Sequence, residues 1–415
     1  MFKKRTLIAA IITAIGVMLL ITFAAAQGEL TDKELLGGLL YFDENLSQPA
    51  GQSCASCHDP DFAFVDPDSG IPVSEGVLPN RFGGRNSPSA AYAMYAPIRY
   101  FDNGEGLWIG GQFWDSRATG EILGDPLADQ ALGPFLNPVE MANQNKVQVI
   151  NNIAQSDYAD LFEEVWGMGI LNNVDAAYDN VASSIATFER THYFAQFNSK
   201  YDYYLQKCLG NGGDPAECAL GVGPKAKKAG KEVFTPKEWT GLQLFMGENN
   251  NDGVLEKGEG AMCAACHIAD WTTVSDYALP VVSPAWAPAG MVPPMFTDFT
   301  YDNLGVPKST HPLLADANVD LGLGPIVGWS SENGKFKVMS LRNIGLTAPY
   351  AHNGFFETLL EITHFYNTRD VPGEGWPVAE VSSTVNFDEL GNLGLSDADE
   401  DALVEFMKTL SDGTW

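Results

Sequence analysis

Two stretches decide how this chain folds, Cys54-Ala55-Ser56-Cys57-His58 and Cys263-Ala264-Ala265-Cys266-His267. In each, a Cys-x-x-Cys pair is followed at once by a histidine. At that spacing two thiols can add to the vinyl groups of one porphyrin while the adjoining imidazole lies beneath the ring as an iron ligand. Zinc is the competing reading, but a closed zinc site takes four donors, and neither stretch has a second pair nearby. The motifs therefore predict two covalently bound haem c groups, one on Cys54 and Cys57 with His58 on the iron, the other on Cys263 and Cys266 with His267.

Working outward, each motif follows a helix with the same opening. Thr31 with Glu34 forms a capping box ahead of Leu35–Tyr41, and Thr235 with Glu238 forms one ahead of Trp239–Met246. That internal parallel is expected of a duplicated helical unit. Apolar residues at helical spacing run from Val174 to Arg190, predicting the longest helix, and further helices are expected over Phe356–Tyr366 and Ser396–Leu410. Strand patterns are few and short, while 42 Gly and 24 Pro predict long ordered loops. The expected fold is mainly α, two cytochrome c-like helical domains with long loops and one covalent haem each. The expected boundaries are a leader at 1–26, an N-terminal domain at 27–208, a linker at 209–231 and a C-terminal domain at 232–415.

The 415 residues carry 24 basic against 53 acidic side chains, a formal charge of −29. Nothing in that balance would neutralise phosphates, so nucleic-acid binding is excluded. With 45% hydrophobic residues the chain can bury a large core, which argues against disorder. Lys3, Lys4 and Arg5 ahead of an apolar run from Leu7 to Phe23 and Ala24-Ala25-Ala26 read as an export signal. Left uncleaved, that run is long enough to anchor the chain in a membrane. Either way the body is expected outside the cytoplasm, in the periplasm. There the remaining cysteines, Cys208 and Cys218, are read as a disulfide across a Gly/Pro loop.

The chain resembles the bacterial di-haem cytochrome c peroxidases and their relative MauG over nearly its whole mature length. The stretches that carry the likeness are Arg85-Asn86-Ser87-Pro88, Phe113-Trp114-Asp115-Ser116-Arg117-Ala118, Gln130 through Glu140, Ala186-Thr187-Phe188-Glu189-Arg190-Thr191, Leu341-Arg342-Asn343-Ile344 and Thr347-Ala348-Pro349-Tyr350-Ala351-His352. The resemblance implies a peroxidatic N-terminal haem and an electron-transferring C-terminal haem. It implies Trp114 as the aromatic bridge between them, and Gln130 and Glu140 in the distal pocket of the first. A carboxylate there can take a proton from the inner peroxide oxygen and return it to the leaving one. It also implies a Ca²⁺ between the haems, held by Asn86 and the carbonyls of Thr347 and Pro349. Read without the resemblance, Glu140 is a helix-cap or solvent carboxylate, Trp114 a core aromatic, and Asn86 and Pro349 loop residues.

Three departures qualify the likeness. Peroxidases of this family block the first iron with a His about sixteen residues past the motif, yet Asp59 to Asn86 contains none, so this site is expected to be open as in MauG. Where those peroxidases place a Met on the second iron, fourteen residues beyond the position of His352, this chain has Tyr366, as MauG does; His364 or no side chain at all are the competing ligands. A phenolate lowers a haem potential and a Met raises it. MauG exchanges electrons with its protein substrate through a Trp two residues before the second motif, and Ala261 stands there; Trp239 and Trp271 lie close in sequence but read as packing residues. Outside the family pattern, Glu248, Asn250, Asp252 and Glu259 around Gly253 have the spacing of an EF-hand loop and a possible second Ca²⁺, or of a polar surface turn. His192 and His311 show no ligand spacing.

The expected function is reduction of hydrogen peroxide with electrons from a small cytochrome or cupredoxin. The alternatives are a MauG-like oxidant of Trp or Tyr on a partner protein and a non-enzymatic electron carrier. The strong negative charge would steer a basic donor.

Overall fold

The computed structural model describes residues 30–68, 70–247 and 260–413. The leader at 1–26 and the EF-hand-like loop with Glu248, Asn250, Asp252 and Glu259 lie outside them. Twelve helices of four residues or more appear among the described residues. They are α1 Asp32–Tyr41, α2 Pro126–Ala131, α3 Lys146–Ala154, α4 Ala159–Trp166, α5 Val174–Glu189, α6 Lys200–Gly210, α7 Pro215–Leu220, α8 Gly223–Val233, α9 Pro236–Met246, α10 Gly324–Val327, α11 Leu359–Thr368 and α12 Asp397–Lys408. Three short antiparallel ladders join β1 Tyr100–Asp102 to β2 Leu107–Ile109, β3 Thr272–Thr273 to β4 Met291–Val292, and β5 Tyr301–Asp302 to β6 Phe336–Lys337. Among the described residues no helix is long and apolar enough to cross a membrane.

The duplicated unit expected from the capping boxes is present twice. Thr31 Oγ1 accepts from the Glu34 amide at 3.3 Å and Glu34 Oε2 from the Thr31 amide at 2.7 Å; Thr235 and Glu238 repeat this at 3.2 and 2.6 Å. Each capped helix then crosses the long helix of its own module at a glycine. A Cβ on Gly37 of α1 would lie 2.0 Å from the Ser184 carbonyl oxygen of α5, and one on Gly241 of α9 would lie 2.0 Å from the Ala402 carbonyl oxygen of α12. Only a residue without a side chain lets the backbones approach so closely. Around these crossings lie two apolar cores, one centred on Leu36, Val181, Ile185 and Phe188, the other on Leu242, Phe245, Leu403 and Phe406.

The division between the cores differs from the expected boundaries. Tyr201, Tyr204, Leu205 and Cys208 of α6 belong to the second core, while Val292 and Met295, from the C-terminal half, pack into the first. The stretch 209–231, expected as a linker, is largely helical. Its Cys218, Ala226 and Ala229 are fully buried, because small residues let α8 lie flat on α9; a Cβ at Gly230 would meet the Trp239 ring at 2.2 Å. Cys208 and Cys218 form the expected disulfide, Cα–Cα 5.8 Å, but it ties α6 to α7 rather than closing an irregular loop. The helix expected over Phe356–Tyr366 starts only at Leu359, capped by Thr358, since Phe356 bridges to Tyr350. Between the modules Arg342, wholly buried, bonds both carboxylate oxygens of Asp202 at 2.8 Å beneath the rings of Tyr92, Phe197, Tyr201 and Phe296.

Candidate active site

Both cysteine–histidine motifs open on a single 3₁₀ turn, Cys54–Ser56 and Cys263–Ala265, which swings the histidine inward. His58 Nδ1 lies 3.2 Å from the Phe64 carbonyl oxygen, and His267 Nδ1 lies 2.9 Å from that of Phe296. A carbonyl can only accept, so in each ring Nδ1 carries the proton and Nε2 keeps its lone pair, the tautomer a metal-ligating histidine needs. Burial pushes both imidazoles down, His267 to about 4, so both are neutral. Burial likewise pushes all four thiols up, Cys57 and Cys263 to about 12, which leaves them uncharged. Among the described residues no group of three or more His, Cys, Asp and Glu side chains is placed to share a metal ion, so the zinc reading has no donor set.

Each motif faces a cavity. The first, about 510 Å³, is walled by Cys54, Cys57, His58, Gln130, Glu140, Phe113 and Trp114; the second, about 270 Å³, by Cys263, Cys266, His267, Tyr366 and again Phe113 and Trp114. Buried polar atoms without a hydrogen-bond partner line both: Gln52 Oε1, Ser74 Oγ and Glu189 Oε2 the first, Arg342 Nη2 and His352 Nε2 the second. Such groups are costly unless an occupant answers them, and the donors among them, Arg342 Nη2 on the second wall and Ser74 Oγ with the Glu189 carboxyl, protonated near neutrality, on the first, suit the carboxylates of a macrocycle.

Gln130 stands on α2, a short helix fixed by the Asp125 cap and Pro126 in its first turn. Glu140 ends the turn after it, where Asn137 Nδ2 donates to its Oε1 at 2.8 Å. Burial raises the Glu140 carboxyl, against the opposing pull of Arg117 and the Asn137 bond. Arg117 stacks over Phe113 and bonds Asp115 at 2.9 Å.

Trp114 sits in a loop of unusual backbone. Gly110, Gly111, Phe113 and Ser116 have φ of 85°, 76°, 65° and 63°. For Phe and Ser that conformation is strained, and strain held by the surroundings is a mark of functional loops. The indole N–H donates to the Asn86 carbonyl oxygen at 2.9 Å, and the Trp114 carbonyl accepts from the Lys337 amide at 2.9 Å. The Asn86 amide N–H donates to the His352 carbonyl at 2.8 Å, and Asn86 Nδ2 to Pro72, which turns Oδ1 the other way. Thr347 and Pro349 line the same cavity wall as Asn86.

On α11, Tyr366 and His364 diverge. Tyr366 lines the second cavity, and burial with the neighbouring Cys266 and Cys263 raises its phenol. His364 points outward to Glu400 at 2.9 Å and Glu374 at 3.5 Å. Ala261 is buried on the second cavity, Trp239 packs beneath α8, and Trp271 donates to the Pro215 carbonyl.

Several residues were missed from sequence. Arg85 bridges Asp115 at 2.6 Å and Asp320 at 2.7 Å, pinning the Trp114 loop to the second module. Glu189 turns into the first cavity, its carboxyl pushed up to about 8 by burial and by Asp125. Lys337 lies buried behind Trp114. Arg85 and Glu189 fall in stretches that carry the family likeness, but nothing in their local pattern assigns them a partner.

The family model for di-haem cytochrome c peroxidases matches residues 31–208. Methylamine utilization protein MauG of Paracoccus denitrificans is 34% identical over 399 residues, 91% of this chain and 88% of that protein. Cytochrome c551 peroxidase of Nitrosomonas europaea is 26% identical over 81% of this chain and 72% of its own. Among solved structures, the diheme peroxidase BthA from Burkholderia thailandensis matches with a TM-score of 0.72 at 28% identity, covering 92% of this chain and 86% of that one. With a 34% identical relative matched over nine-tenths of its length, this chain belongs to the di-haem cytochrome c peroxidase family, which implies haem c as its cofactor.

Proposed function

We propose that this chain is a periplasmic di-haem peroxidase that reduces hydrogen peroxide to two waters in the cavity beside His58, taking two protons from solvent and two electrons from an external one-electron donor. The observation that carries the reading is that Trp114 lines both cavities while Gln130 and Glu140 face only the first. Two covalent haems, one held by Cys54, Cys57 and His58 and the other by Cys263, Cys266, His267 and Tyr366, would supply the redox chemistry when bound. The protein supplies the rest. The Gln130 amide orients peroxide by hydrogen bonding. The Glu140 carboxylate, steadied by Asn137, takes the proton of the inner oxygen and returns it to the outer one, so that it leaves as water. The Phe64 and Phe296 carbonyls hold the proximal imidazoles in one tautomer. Asn86 Oδ1 with the carbonyls of Thr347 and Pro349 would hold a calcium ion, its remaining positions filled by water.

A second reading is oxidation of a Trp or Tyr on a partner protein. It is favoured by Tyr366 on the second cavity and by the absence of a blocking His between Asp59 and Asn86, and disfavoured by Ala261, buried where MauG has a Trp. The test is to add one equivalent of peroxide to the fully oxidised protein and follow the haem absorption before any reductant is present. An immediate change is expected. No change until the second haem is reduced would overturn the open first site.

A further inference from the structure

Lys337 is only 6% exposed, yet among the described residues its ammonium meets a single hydrogen-bond acceptor, the Gly111 carbonyl, and pairs with no carboxylate. The other wholly buried cation of this region, Arg342, is matched by Asp202. The acids on the same cavity wall are already engaged elsewhere: Asp320 with Arg85, Asp302 and Glu389 with Asn386, and Glu380 with the Asp320 amide. An ammonium carries three donors, and burying one without an anion is costly enough to drive it towards the neutral amine. Burial alone already pulls Lys337 down to about 7. The side chain lines the second cavity, and its unanswered donors therefore call for an anion from whatever fills that space.

We propose that Lys337 is a cofactor-binding residue, its ammonium taking a propionate carboxylate of the haem attached to Cys263 and Cys266. This rests on the second cavity holding a haem. The same residue reaches the bridge between the cavities twice, through its amide to the Trp114 carbonyl at 2.9 Å and through its ammonium to Gly111, at the start of the strained loop. One residue, through its backbone and its side chain, would thus fix the seat of the second haem relative to Trp114.

Lys337→Met removes the charge while keeping the apolar stem. Spectroelectrochemical titration is expected to show the midpoint potential of the second haem lowered, because losing a nearby positive charge favours the ferric state. The first haem should keep its potential, and Lys337→Arg should restore the second. A residue that merely packs would lower thermal stability and leave both potentials in place, and an unmoved second-haem potential in Lys337→Met overturns the proposal. Should the variants not fold, redox-difference infrared spectra of the wild-type protein labelled with ¹⁵N-lysine decide. A lysine-sensitive band is expected on reduction of the second haem, and its absence overturns the assignment. A pyridine haemochrome count separates the two levels: fewer than two haems removes the occupant itself, whereas two haems with unmoved potentials removes only the role of Lys337.

Discussion

Replacing Gly241 by Ala is expected to unseat the crossing on which the second module is built. The new Cβ would stand 2.0 Å from the Ala402 carbonyl oxygen, 2.6 Å from its carbon and 2.7 Å from Phe406 Cβ. The first two are helix backbone and cannot rotate away, so α9 and α12 must part by about 1.5 Å to reach van der Waals contact near 3.5 Å. Their separation loosens Leu242, Phe245, Leu403 and Phe406, all buried between them. Overpacking against backbone belongs at the upper end of the usual range, about 3 kcal/mol. Alanine's better helix propensity returns about 1 kcal/mol, leaving a net loss of about 2 kcal/mol. At about 2–4 °C per kcal/mol for a module of this size, the melting temperature should fall by about 4–8 °C in scanning calorimetry of the holoprotein. Gly210→Ala is the control, since a Cβ there meets nothing within 4 Å. A Gly241→Ala protein as stable as wild type, or the two variants shifting alike, would refute the argument that the glycine is required by close approach.

Glu140→Gln should keep the haem spectra and slow the reaction with peroxide by about 10²–10⁴-fold in stopped flow, the range removed with a general base. Because burial raises the Glu140 carboxyl, the wild-type rate should climb as pH rises through that raised value and the base loses its proton, and the variant should lose this limb. Tyr366→Met should raise the potential of the second haem in a redox titration and leave the first in place. Asp202→Asn strands the buried Arg342 guanidinium and should cost about 3–5 kcal/mol in denaturant unfolding, whereas replacing both residues with apolar ones of similar volume should recover much of it.

Much of this architecture was legible because it depends on local chemistry. A capping box is a four-residue signal, and those at Thr31 and Thr235 appear with both reciprocal bonds made. The haem motifs are equally local, and so are the acidic first turn and Lys408 at the end of α12. The stretch 209–231 was misread for the opposite reason. Its Gly and Lys content resembles a linker until Ala226, Ala229 and Gly230 are seen against Trp239, a tertiary contact that overrides composition. Of the site, the resemblance supplied Gln130, Glu140 and Trp114. Arg85 and Lys337 escaped because their meaning lies in partners distant along the chain, Asp320 for one and Gly111 with Trp114 for the other.

The two modules share a frame and differ in what faces the cavity. Glycine crossings and capped helices repeat, so each proximal histidine is delivered in the same way, against a backbone carbonyl. The walls then differ in the polar groups they carry: Gln130, Glu140 and Glu189 line the first cavity, while the second presents the Tyr366 phenol, the Lys337 ammonium and the already paired acids Asp302, Asp320, Glu380 and Glu389. On the function proposed above, proton-coupled peroxide chemistry belongs to the first cavity, where Gln130 and Glu140 stand, and electron relay to the second. What the duplication cannot provide is the connection, and that is built from residues with no counterpart in the repeat. The strained loop 110–118 places Trp114 on both walls, Arg85 clamps it to Asp115 and Asp320, and Lys337 holds its carbonyl from the far side. A loop with two non-glycine residues at positive φ keeps its shape only while such clamps persist. With two haems bound as proposed, the rigidity of that wall, rather than of either helical frame, would set how constant the distance between them remains.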